Sequence, residues 1–438
     1  MALASSPSRW RMFVAGGHTT QFLGKGHPSF IHPKHPEFGK KHNPSWRDYM
    51  QESVVGAVKD AFGLPDDDPG ALDAACAQVD RLYVGNFAGE LFVQQGHLGP
   101  ALVGVSKQFQ YKPAMRIEGA CASGGLALAA AVDALQAGQG TDIALVAGVE
   151  VQSTVSAREG GTFLARAADF DRQAKIDDFA FPCLLARRAK AYLDKYPRAT
   201  GMASLNPFVE KAYRNGNLNP KAHMHKVQVS SEALNLDDKN PCFLSNDDYK
   251  SFVRMRDCSQ VSDGGSCLVL CNEKGAEKLR GGVKENLVEL CGIEYGCGNL
   301  YQDPDDLAKM DTAAAVVGRL LKRTGVLNPK EEVDVFEVHD CFSIAEVLMY
   351  EAIGLTKPGE ALAEEVAATV GKKVNTGGGL LSFGHPVGAT GVKQVHECYR
   401  QIRGQSGDYQ LAGEVNRGLA VNMGGDDKTI VATLLQKL

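Results

Sequence analysis

No Gly-x-Gly-x-x-Gly turn, no Walker-type phosphate loop and no Gly-x-Ser-x-Gly elbow occurs in the chain, so nicotinamide, nucleotide and serine-hydrolase chemistry lack their usual sequence support. Neither a Cys-x-x-Cys pair nor a helical histidine pair is present, and no metal is expected. An excess of one charge is also missing. A net charge of -5 over 438 residues gives no case for nucleic acid or a membrane surface. No apolar run approaches the roughly 18 residues of a membrane span. Cysteine is plentiful but unframed: 11 of them, an odd number without a short repeat, in a chain too large to need disulfide staples. A reducing compartment and small-molecule partners are expected.

What is there is rhythm. From Met12 to Val151 short apolar strand-like runs alternate with helical ones, the pattern of a layered α/β domain. A second series starts at Leu287 and repeats the order of elements to the C-terminus. Val79-Asp-Arg-Leu-Tyr-Val and Val333-Asp-Val-Phe-Glu-Val are its clearest matching pair. The fold class expected is therefore α/β, two duplicated βαβαβ-type halves packed back to back. Residues 1–151 form the first half, with 256–275 returning to it, and 276–438 form the second. Between them, 152–255 break the rhythm with prolines and polar loops and read as an inserted lobe. From Arg187 to Lys226 this lobe carries nine Lys or Arg against two acids. A phosphate-bearing ligand such as coenzyme A explains that excess, and so does a solvated basic face.

One stretch organises the first half: Glu118-Gly-Ala-Cys-Ala-Ser-Gly-Gly-Leu126. Upstream residues are strand-like and Leu126 to Leu135 is apolar nearly all round, so Cys121 is expected at the N-terminus of a core helix. Unsatisfied N–H groups and the helix dipole there lower a thiol pKa. A packed structural thiol would occupy the same place, and the stretch alone does not separate the two.

Two clusters in the second half bear on the choice. Glu337-Val-His339-Asp-Cys341-Phe342 ends the matching strand, and if the strand continues, His339 and Cys341 point to one side. Asn375-Thr-Gly-Gly-Gly-Leu-Leu-Ser-Phe-Gly-His385-Pro-Val-Gly-Ala-Thr-Gly391 is a glycine-dense loop ending just before a helix. A second Gly-His-Pro, Gly26-His-Pro28, lies among His18, His32, His35 and His42 in a polar stretch. It lacks the small-residue helix start and is expected to be a decoy.

Cys121 in its Gly-Ala-Cys-Ala-Ser-Gly-Gly setting, His339-Asp-Cys-Phe342 and Gly384-His-Pro386 with Val-Gly-Ala-Thr-Gly391 occur in that order and resemble the thiolase superfamily. More narrowly, they resemble its sterol-carrier-protein type. The likeness runs from Met12 to the C-terminus. Common thiolases place a second catalytic cysteine before a glycine near the C-terminus, where this chain has Asn422-Met-Gly-Gly-Asp426. Cys341 resembles its replacement, and His339 stands where most thiolases have asparagine. No fused sterol-carrier domain is expected after this region.

The resemblance implies a thiolase-like fold and cleavage of 3-ketoacyl-CoA by CoA, or the reverse condensation, through an acyl-Cys121 intermediate. Coenzyme A is then a co-substrate, no cofactor is tightly bound, and a homodimer is implied. His385 takes the Cys121 proton, Cys341 is the second acid/base, and His339 and His385 offer N–H groups to an oxyanion. The backbone N–H groups of Cys121 and Gly424 form a second oxyanion site. The alternatives are a decarboxylating ketoacyl synthase and a non-catalytic acyl-CoA-binding relative. Arg9, Arg11 and three serines without an acid before Glu37 suggest a mitochondrial leader, while Gln436-Lys-Leu438 is one residue from a peroxisomal address.

Overall fold

Nine strands form one sheet in a computed structural model that describes residues 11–196, 201–230, 234, 240–279 and 286–438. Arg9 and the leader-like serines lie outside the described residues. The strands are β1 (Met12–Thr19), β2 (Arg81–Gly85), β3 (Ala114–Ile117), β4 (Ile143–Glu150), β5 (Gly264–Asn272), β6 (Val288–Cys297), β7 (Val335–Glu337), β8 (Arg417–Gly424) and β9 (Thr429–Lys437). Their spatial order is β3-β2-β4-β5-β1-β6-β9-β8-β7.

The duplication is visible in the pairing. Outward from the centre, β1 pairs antiparallel with β5, β5 antiparallel with β4, and β4 parallel with β2. On the other side β6 pairs antiparallel with β9, β9 antiparallel with β8, and β8 parallel with β7. The order and sense are the same, and β2 and β7 are the strands whose sequences match. Among the described residues only β3 has no counterpart in the second half. The halves meet where β1 and β6 pair antiparallel, at Phe13 with Glu289 and Val14 with Val288. β5, 114 residues after β4, returns to the first half and sits between β4 and β1.

Two helices fill the space between the halves: α2 (Ser123–Ala137), which follows α1 (Trp46–Phe62) in sequence, and α8 (Thr390–Ile402). Alanine-rich α2 has little side-chain entropy to lose and is closed by Gly138, whose φ of 63° is the left-handed conformation glycine adopts without strain. Leu128, Ala131, Val132 and Leu135 of α2 share one core with Val392 and Val395 of α8 and with Val146 and Val431 from the two halves. Leu128 and Leu135 are fully buried, each worth about 1.5–3 kcal/mol relative to exposure. Contrary to the expectation of no spanning run, Ala120–Ala137 is long and apolar enough to cross a membrane by length and composition, but most of it is buried in this core. The N-terminus of α2 comes very close to the glycine loop: a Cβ on Gly124 would lie 2.8 Å from the Gly388 carbonyl oxygen.

The lobe between β4 and β5 carries α3 (Ala157–Leu164), α4 (Ala180–Lys195) and α5 (Asn206–Leu218). α6 (Asp311–Thr324) and α7 (Ser343–Ala352) follow in the second half. Leu184, Leu185, Tyr192 and Phe208 of the lobe share a core with Val347 and Leu348 of α7. This packing holds the lobe over the segment that follows β7.

Candidate active site

Cys121 sits in a single 3-10 turn, Ala120–Ala122, immediately before α2. The turn is strained: Ala120 has φ 53°, a left-handed conformation costly to a residue with a Cβ. It is held by Glu118, which accepts the Ala120 N–H at 2.6 Å, and by Ser123, whose hydroxyl donates to the Ala120 carbonyl at 2.6 Å. The thiol faces a cavity of about 320 Å³ that His339, Cys341, His385 and Gly425 also line. The four side chains singled out from the sequence therefore share one cavity. The sulfur of Cys121 and one ring nitrogen each of His339 and His385 lie within 4.8 Å of one another. The rings meet edge to face, with centroids 5.0 Å apart and planes at 87°.

The ring protons follow from the hydrogen bonds. The Thr390 hydroxyl donates to the Pro386 carbonyl at 3.0 Å, so toward His385 Nδ1, at 2.6 Å, it accepts. His385 thus carries its proton on Nδ1 and leaves the Nε2 lone pair free to act as a base. His339 is set the other way by Asn422. The Asn422 amide is oriented because its Oδ1 accepts the Gly125 N–H at 3.3 Å and its Nδ2 donates to the Cys121 carbonyl at 3.0 Å. The same Nδ2 lies 3.3 Å from His339 Nδ1, which must accept, so His339 carries its proton on Nε2 as a donor. A thiol with two imidazoles also resembles a zinc ligand set. With its Nε2 protonated, His339 has no lone pair to offer a metal in this network.

Burial sets the resting charges. It pushes the Cys121 thiol up to about 12, against the opposing N–H groups of Gly425 and of Cys121 itself. It pushes His385 down to about 3, helped by Lys393, and holds His339 well below the usual imidazole range. Cys341 is raised well above the ordinary thiol value, first by burial and then by Cys121. The helix-start expectation of a lowered Cys121 pKa is corrected: loss of water outweighs the dipole, and the resting pair is neutral thiol and neutral imidazole.

Two models of known families match the chain: "Thiolase C-terminal domain-like" over residues 300–437 and "Beta-ketoacyl synthase, N-terminal domain" over residues 104–180. An acetyl-CoA acetyltransferase of Methanothermobacter thermautotrophicus is 29% identical over 406 residues, covering 92% of this chain and 97% of its own. Sterol carrier protein 2 of Gallus gallus is 27% identical over 426 residues, covering 94% of this chain and 70% of its own. Among solved structures, an Ltp2-ChsH2(DUF35) aldolase superposes with TM-score 0.71 at 17% identity, covering 97% of each chain. Human mitochondrial 3-ketoacyl-CoA thiolase in complex with CoA superposes with TM-score 0.65 at 15% identity, covering 98% of each chain. Over most of its length the chain is similar to thiolases, and its fold is theirs.

Within this thiolase fold two sequence expectations are corrected. β7 stops at Glu337, and the Asp340 N–H turns back to the Val338 carbonyl at 3.1 Å. His339 and Cys341 reach one cavity through this irregular turn, not through strand alternation. The N–H directed at the Cys121 sulfur is that of Gly425. Gly424, the expected donor, is the last residue of β8, and its α-carbon faces the backbone of Gly119 and Ala122. Much of the basic stretch is paired, Arg188 with Asp426, Lys190 with Asp194, Lys195 with Asp306, and Lys211 with Glu346, while Arg214 and Lys226 are exposed. Arg187 pairs with Asp303 at 3.2 Å, and Lys221 donates to the Thr19 carbonyl. Arg198 lies outside the described residues.

Arg188 has a structural use instead. Fully buried, it holds Asp426 beside Gly425 and donates to the Leu307 carbonyl at 3.1 Å. Glu150 went unnoticed in the sequence. Its carboxylate accepts the Phe87 N–H at 2.8 Å, the Ala88 N–H at 3.2 Å and the Gly388 N–H at 3.0 Å, tying the end of β2 to the His385 loop. The decoy is also resolved: the His27 Nδ1 accepts the Ser29 N–H at 3.0 Å, and His27 is not among the residues lining the cavity.

Proposed function

We propose that this thiolase-fold protein cleaves 3-ketoacyl-CoA with CoA to acetyl-CoA and a shortened acyl-CoA, and runs the reverse condensation, through acyl-Cys121. The observation that carries the reading is the opposed pair of imidazoles at one thiol: a bare Nε2 on His385 and an Nε2–H on His339.

As substrate displaces water, His385 Nε2 takes the Cys121 proton and the sulfur attacks the 3-keto carbon. The oxygen on that carbon develops next to the sulfur, where the Cys121 and Gly425 N–H groups point. The C2–C3 bond then breaks and its electron pair passes to the thioester as an enolate. His339 Nε2–H and the now protonated His385 stabilise that oxygen. Cys341 protonates C2, acetyl-CoA leaves, and Cys341 next deprotonates incoming CoA, whose sulfur takes the acyl group from Cys121; Cys121 leaves as a thiolate and recovers its proton from His385. A Cys341 pKa raised well above ordinary suits an acid that must hold its proton until the enolate forms.

Coenzyme A enters as co-substrate, and no tightly bound cofactor is used. The acetyltransferase and thiolase likeness supports that assignment. β3 is the edge of the sheet, with Met115 43% and the nearby Tyr111 100% exposed, and is the surface proposed for a homodimer. A mitochondrial site, or alternatively a peroxisome-like organelle, belongs to the same proposal. Steady-state thiolysis of acetoacetyl-CoA tests the activity: CoA-dependent production of acetyl-CoA, lost in Cys121→Ala, is the expected result. Binding of acetoacetyl-CoA without turnover would mean a non-catalytic binding protein.

A further inference from the structure

The cavity at Cys121 is larger, and its walls are more aromatic, than cleavage of a four-carbon substrate requires. Five phenylalanines line it. Phe87 follows the end of β2, and Phe342 follows Cys341 in sequence. Phe179, Phe181 and Phe243 come from the lobe, and Phe179 meets Phe243 edge to face with centroids 5.4 Å apart and planes at 85°. Met255 adds a thioether and is 42% exposed. Among the described residues no Lys, Arg, Asp or Glu lines the cavity.

Size narrows the occupant. An engineered apolar cavity of about 150 Å³ takes up benzene, or about 25 Å³ per non-hydrogen atom. On that scale 320 Å³ holds about thirteen such atoms, of which the reacting segment, C1 to C3 with its two oxygens, uses about five. About eight remain for the tail. Acetoacetyl fills about one of those places and leaves an apolar void, while a sixteen-carbon chain runs about five atoms beyond the cavity, through its open side. A phenylmethyl group needs about seven, and rings of this kind gain edge-to-face and sulfur contacts that a linear chain of equal carbon count does not.

We propose that the preferred acyl substrate is a 3-oxoacyl-CoA with a compact, uncharged ring near C4. This rests on the thiolase reading above. With 3-oxo-4-phenylbutanoyl-CoA as probe, the Cys121 sulfur bonds to C3 and the C2–C3 bond breaks. The electron pair goes to C2, and C2 takes the Cys341 proton. Phenylacetyl-Cys121 and acetyl-CoA result, with the Cys121 proton held on His385; CoA then gives its thiol proton to Cys341 and takes the phenylacetyl group, and the Cys121 thiolate regains its proton from His385.

The test is kcat/KM for this probe against 3-oxodecanoyl-CoA, which has the same number of carbons, with acetoacetyl-CoA and 3-oxohexadecanoyl-CoA alongside. The phenyl substrate should exceed 3-oxodecanoyl-CoA by about tenfold, and Phe243→Leu and Phe181→Leu should each lower that ratio severalfold. Turnover of acetoacetyl-CoA with a ratio of one or less overturns the ring assignment and leaves thiolysis standing. No turnover of any of the four, and no acylated Cys121, overturns the thiolase reading itself.

Discussion

Asn422 donates its side-chain amide to His339 Nδ1 at 3.3 Å and to the Cys121 carbonyl at 3.0 Å, joining the two halves of the site across 301 residues. It occupies the stretch where common thiolases carry a second cysteine, and here its place is used to set a tautomer. Asn422→Asp presents an acceptor to Nδ1 and so moves the His339 proton off Nε2. With one donor to the enolate oxygen lost, kcat should fall about 10²–10³-fold while KM changes little. Iodoacetamide should still label Cys121. A kcat within a factor of two of the parent would remove the donor role from His339.

The neutral resting pair has its own signature. With the Cys121 thiol pushed up to about 12 and His385 down to about 3, neither is charged near neutrality. The thiolate fraction of the free enzyme then grows about tenfold per pH unit, and so should the rate of Cys121 alkylation between pH 7 and 9. A thiolate–imidazolium pair would give a rate already flat over that range. The measurement is a pseudo-first-order rate with iodoacetamide at each pH, read on the Cys121 peptide.

Cys121 and Cys341 should part company in single variants. Cys121→Ala removes acyl-enzyme formation altogether. Cys341→Ala keeps a thiol that alkylates, but turnover should drop by about 10²–10⁴-fold, the usual contribution of a positioned acid/base. Unchanged turnover in Cys341→Ala would show that C2 is protonated by another group.

Arg188 tests the turn that carries Gly425. Arg188→Met leaves the 3%-exposed Asp426 side chain with only the more distant Arg187, at 3.9 Å, as its cation, which costs up to about 3–5 kcal/mol of stability. Urea unfolding should show the loss, and kcat measured on the folded protein should also fall as the Gly425 N–H shifts. Arg188→Met combined with Asp426→Asn should recover most of the stability, because no unpaired charge then remains. Equal stability for Arg188→Met and its parent would take the turn-holding role from this pair.

The duplicated α/β order was legible in the sequence because matched strands such as Val79 to Val84 and Val333 to Val338 kept their apolar pattern. So was the convergence of Cys121, His339, Cys341 and His385, since each sits in a short run of glycine or turn-forming residues beside an apolar element. The tautomers were not legible, because Asn422 reaches His339 from 83 residues away. Choosing between the N–H groups of Gly424 and Gly425 depends on the turn after β8, where Gly425 has φ 66°. The raised thiol pKa depends on burial by the lobe, which composition does not reveal. Which cations of the basic stretch are paired was not legible for a similar reason: the acids beside Arg187, Lys195, Lys211 and Arg188 lie far along the chain, at Asp303, Asp306, Glu346 and Asp426.

The central claim is a covalent acyl group on Cys121. The protein is mixed with acetoacetyl-CoA without added CoA, quenched in acid, digested and analysed by peptide mass spectrometry. The account predicts an acetyl group on the Cys121 peptide that disappears on adding CoA. An unmodified Cys121, or an acetyl group carried by Cys341 instead, would contradict it.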